Sequence, residues 1–174
     1  MINARMEFSR HLTIVVCALF VSICVPQQSG ASEEKDYISL EISRAFSKAL
    51  VVNVYLLPPD VNVRYDLGEG DVMRMGCKFE IRDPAEIHNF AGVVASSNLR
   101  LDSNDEAVDG RVLIRISNDY KNYSTILMGY GKSNSNSRGI YNGVIPVFSE
   151  GNFEKNLRTW TAHKQTLDSK PCLH

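Results

Sequence analysis

Few side chains in this sequence are placed to do chemistry. Beyond residue 31 there are three histidines, His88, His163 and His174, two cysteines, Cys77 and Cys172, and scattered carboxylates such as Glu80, Asp83 and Glu86. A serine hydrolase of the strand-to-helix type carries Gly-x-Ser-x-Gly, and that pattern is absent. A zinc site needs clustered ligands. Cys172-Leu173-His174 supplies two neighbours, but no second pair and no His-Glu-x-x-His accompanies them. Cys77 and Cys172 are too far apart to form a Cys-x-x-Cys exchange motif.

Two further patterns fall short. Gly129-Tyr130-Gly131-Lys132-Ser133 holds the Gly-Lys-Ser of a phosphate loop, yet Ile126 stands where the leading glycine belongs, and Asn134-Ser135-Asn136-Ser137 does not open a helix. Asp102, Asn104 and Glu106 alternate like calcium ligands, but the glycine at the sixth place and the glutamate at the twelfth are missing. No cofactor and no metal are expected. Glycoside cleavage needs only two carboxylates brought together by the fold, which spacing alone does not decide.

The first residues read as a targeting segment. Arg5 and Arg10 precede an apolar run from Leu12 to Pro26, and the small residues Ser29, Gly30 and Ala31 follow. Such an arrangement predicts a secretory signal at residues 1–31, cleaved after Ala31, and an exported single domain over residues 32–174, periplasmic or extracellular. The apolar run is shorter than the ~20 residues of a spanning helix, so no stable membrane insertion is expected after cleavage. Cys17 and Cys24 leave with the signal. In an oxidising compartment Cys77 and Cys172 are then expected to form one structural disulfide. It would close a loop of about 95 residues and contribute roughly 4 kcal/mol by the chain-entropy argument.

Composition agrees with an ordinary globular chain of 174 residues, 44% hydrophobic and 22% charged. The formal net charge of −1 supplies no basic field for nucleic acid, which is not expected as a partner.

The elements that must position these groups follow from periodicity. Ile38, Ile42, Ala45, Phe46 and Ala49 fall at helical spacing within Tyr37–Leu50, preceded by a loose charged stretch from Ser32 to Asp36. Strands are expected at 51–57, 77–82, 111–117, 123–128 and 144–148, where β-branched and aromatic residues dominate or alternate with polar ones. Pro146 hints that the last of these lies at an edge or bulge. A short helical turn is expected from Asp71. Asp83-Pro84-Ala85-Glu86 reads as a capping box with proline at the first helical position, and Ile87, Phe90, Ala91 and Val94 continue it as an apolar stripe. Phe153, Leu157 and Trp160 mark a last helix, capped by Ser149 or Asn152. Leu99–Gly110 and Gly129–Gly143 are polar and turn-rich and read as exposed loops. The predicted fold is α+β, a mainly antiparallel sheet of four to five strands with two or three helices packed on one face.

With chemistry thinly represented, a contact surface is the leading expectation. Tyr130, Arg138, Tyr141 and Asn142 lie in or beside the glycine- and serine-rich segment, and their types are those of adaptable binding surfaces. The expected function is non-enzymatic binding of another macromolecule, a protein partner, by a small exported protein. A periplasmic inhibitor or toxin-neutralising immunity protein would fit. The alternatives are a small exported hydrolase acting on envelope polymers, using carboxylates or His88 in a cleft, and an accessory subunit of an envelope assembly.

Overall fold

The computed structural model describes residues 31–58, 61–62, 64–104, 107–119, 122–130, 137–162 and 164. Four helices, α1 (Ala31–Ser47), α2 (Glu69–Met75), α3 (Pro84–Ala95) and α4 (Phe153–Thr161), accompany seven strands. These are β1 (Val51–Leu56), β2 (Cys77–Ile81), β3 (Leu99–Leu101), β4 (Asp109–Ser117), β5 (Tyr123–Tyr130), β6 (Ser137–Tyr141) and β7 (Ile145–Ser149). They form one antiparallel sheet in the order β2-β1-β4-β5-β6-β7-β3. The chain is therefore α+β as the patterning predicts, with more strands and helices than expected.

Alternation decides which residues face the main core. Val52, Val54 and Leu56 of β1, Phe79 and Ile81 of β2, and Val112, Ile114 and Ile116 of β4 all turn to one side and are buried. Helices α1, α3 and α4 cover that side with Ile38, Ile42, Phe46, Ile87, Phe90, Val94, Phe153 and Leu157. Phe90 is the common contact. Its ring centre lies 6.0 Å from that of Phe46 and 4.5 Å from that of Trp160, so one residue of α3 joins all three helices.

The start of α3 follows the sequence signal in part. The Asp83 carboxylate accepts from the Glu86 amide at 2.9 Å, and Pro84 takes the first helical position. The reciprocal half of the capping box is replaced: the Glu86 carboxylate accepts from Lys164, just beyond α4. Helix α1 begins at Ala31, so the stretch expected to be loose is helical. Ser, Glu and Lys tolerate helix, and the amphipathic turns that follow carry it.

Four further expectations are corrected. The helices do not all pack on one face. Helix α2 lies on the reverse side, where Val72 joins Leu57, Leu67, Leu113 and Leu127 in a second, smaller core. The segment Leu99–Gly110 is not wholly loop, because Leu99–Leu101 pairs with β7 and Asp109 opens β4. Pro146 lies on a strand flanked by both β6 and β3 rather than at an edge, and its carbonyl accepts from the Asp102 amide at 2.9 Å. Within Gly129–Gly143, Gly129 and residues 137–141 are strand; residues 131–136 lie outside the described residues. β6 and β7 are joined by Asn142, Gly143 and Val144, and Asn142 (φ 51°) and Gly143 (φ 73°) form an Asn-Gly pair at positive φ, a signature of a tight hairpin turn.

Candidate functional site

Several of the residues singled out in the sequence have a definite place. Tyr141 is a core residue, 3% exposed, paired with Ile126 and Ile145. Arg138 is half-buried and bridges Asp102 at 3.3 Å. Asn142 serves the turn: its side-chain oxygen accepts from the Thr125 amide at 2.9 Å, and its own amide donates to the Thr125 carbonyl. The backbone of Tyr130 ends β5, and its side chain lies outside the described residues. The fold therefore does not gather these described side chains on one surface. Cys77 is fully buried at the start of β2 and is disulfide-bonded; Cys172 lies outside the described residues, as do His163, His174 and residues 1–30.

The carboxylates of the capped strand also have structural partners. Glu80 accepts from Arg82 and Lys78, and the Arg82 hydrogen bond, the largest influence, holds its carboxyl below the usual carboxylate range despite the opposing effect of burial. His88 does line a groove, one of about 670 Å³ between α1 and α3. Ser39, Ser43 and Ser47 stand one turn apart along its α1 wall, facing Ala91, Gly92 and Ala95 of α3. Small residues on both helices hold the gap open. Among the described residues its lining contains no carboxylate, so no described acid converges with the histidine there. Among the described residues no group of three or more His, Cys, Asp and Glu could hold a metal ion, and no helix is long and apolar enough to cross a membrane.

The sheet's reverse face holds a different arrangement. One cross-strand row runs Glu80, Asn53, Arg115, Thr125 across β2, β1, β4 and β5. Tyr123 lies diagonally beside Arg115, and the guanidinium sits over its ring, 3.7 Å from the centre. The Thr125 hydroxyl donates to Glu69 at the start of α2 at 2.7 Å. The Asn53 side-chain oxygen is buried and has no hydrogen-bond partner among the described residues. Beyond the patch under α2, formed by Leu113, Thr125 and Leu127, side chains on this face are half-buried or exposed. Tyr123 is 51% exposed.

These residues were legible in type but not in role. Arg115 occupies the outward register of the clearest strand, and Asn53 interrupts an otherwise apolar one. A polar residue inside a β-branched run is the signal. Comparison with protein-family models, with characterised proteins and with solved structures finds no match for this chain.

Proposed function

We propose that this chain is a small exported protein without enzymatic activity that binds another protein through the reverse face of its sheet. A periplasmic inhibitor or a toxin-neutralising immunity protein would fit this reading. The observation that carries the reading is the Arg115–Tyr123 pair, a cation stacked on an exposed aromatic ring in a partly open sheet face. Arg and Tyr contribute disproportionately to protein interfaces because each combines apolar area with directed hydrogen bonds at modest entropic cost. The site differs from the glycine-rich segment favoured on sequence grounds, whose described side chains are committed to the core, an ion pair and a turn.

The reading includes removal of residues 1–31 on export and a Cys77–Cys172 bridge. The hydrolase alternative rests on His88 in the α1–α3 groove, where the described lining offers it serines but no acid.

A photo-crosslinking residue placed at Ser117, which pairs with Tyr123 on the reverse face, is compared with one at Leu40 on the outer side of α1. The expected outcome is a discrete adduct from position 117 in envelope preparations and none from position 40. Adducts from both positions alike, or from neither, would overturn the reading. The intact mass of the recovered protein tests cleavage and bridging together: retention of residues 1–31, or two free thiols, refutes that part.

A further inference from the structure

Five arginines are half-buried among the described residues, and four of them meet a carboxylate: Arg100 with Glu150, Arg111 with Asp109, Arg138 with Asp102 and Arg158 with Glu154. Arg115 meets none. Among the described residues, its partner is the face of the Tyr123 ring. Stacking fixes the plane of the guanidinium and leaves its N–H edge unused, so the ordering cost of a bidentate contact is already met in part. The nearby acids are engaged, Glu80 with Lys78 and Arg82 and Glu69 with Thr125. Next to Arg115 in the row stands Asn53, whose buried oxygen has no partner among the described residues.

We infer that Arg115, backed by Tyr123 and flanked by Asn53, is a carboxylate-binding subsite that receives an Asp or Glu side chain of the protein partner. The guanidinium fork matches the two oxygens of a carboxylate. A protein partner supplies carboxylates on its Asp and Glu side chains, and phosphate is the competing anion that the test separates. Glu80 stands at one end of the row and Glu69 meets Thr125 at the other, each already held by its own partners. The source of the carboxylate rests on the binding function proposed above; the subsite itself does not.

The test follows the Arg115 Nε–H and Asn53 amide signals by NMR in the full mature protein, titrated at constant ionic strength. The probes are N-acetylglutamate N-methylamide, its glutamine counterpart, inorganic phosphate and sodium chloride. The glutamate probe is expected to give a saturable shift at both residues and the glutamine probe none. Arg115→Gln should abolish the response and Arg115→Lys should weaken it at least several-fold, with unchanged far-UV spectra confirming the fold. No saturable shift, a tighter response to phosphate, or an undiminished response in Arg115→Gln would overturn the assignment. If crosslinking at position 117 persists while the glutamate probe fails, the carboxylate subsite is wrong and the binding face stands. If the probe binds but no crosslink forms, the reverse holds.

Discussion

Replacing Gly129 with alanine should destabilise this protein, although alanine is the better residue in most backbone settings. Gly129 pairs with Gly110 where the β4–β5 register shifts between Gly110 and Val112. A Cβ added at Gly129 would lie 2.6 Å from the Asp109 carbonyl carbon, closer still to its oxygen, and 3.2 Å from the Gly110 Cα. These are backbone atoms, so no side-chain rotation relieves the overlap. Either β4 moves away or the Asp109–Tyr130 and Gly110–Gly129 pairs open. Overpacking of this kind costs about 1–3 kcal/mol. The reduced entropy of the unfolded chain returns about 0.4–1 kcal/mol, leaving a net loss of roughly 1–2 kcal/mol. Gly92 in α3 is the control, because a Cβ there meets nothing within 4 Å. Gly92→Ala should stabilise by about 0.5–1 kcal/mol. Urea unfolding followed by circular dichroism measures both, and their midpoints should move in opposite directions. If Gly129→Ala proves as stable as the parent, the close approach of β4 and β5 is wrong and Gly129 behaves as a loop glycine.

Two further outcomes follow from the packing and the charges. Phe90→Ala should cost about 3–5 kcal/mol, because it empties the contact shared by α1, α3 and α4, and emission of the single tryptophan, Trp160, should shift to the red in native buffer; an unshifted spectrum would refute the Phe90–Trp160 contact. Because the Glu80 pKa is lower folded than unfolded, its contribution is complete above the ordinary glutamate value of about 4.3 and is lost as pH falls through the depressed folded value. Glu80→Gln should therefore flatten the acid limb of the stability curve, by no more than about 1 kcal/mol for so near-surface a group, and an unchanged limb would count against the Arg82 and Lys78 contacts.

Local patterns carried much of the fold. The alternation in Val51–Leu56, Cys77–Ile81 and Arg111–Ser117, the stripes of α1, α3 and α4, and the Asp83 cap all depend on neighbours a few residues apart. The candidate site was far less legible. Tyr141 and Arg138 look like contact residues in a polar segment, yet cross-strand pairing puts one in the core and the other in an ion pair.

By itself, the sequence determined the fold class, most of the elements and the identity of the buried faces, because periodicity is a local property of the chain. Only the tertiary structure decided the rest. Leu99–Leu101 is too short to show a period, and it becomes a strand because β7 offers it an edge. Gly129 reads as flexible until β4 is brought against it. Whether an arginine finds a carboxylate depends on which strands become neighbours. β4 between β1 and β5 places Arg115 among Asn53, Thr125 and Tyr123, and so leaves it, among the described residues, a cation without an acid.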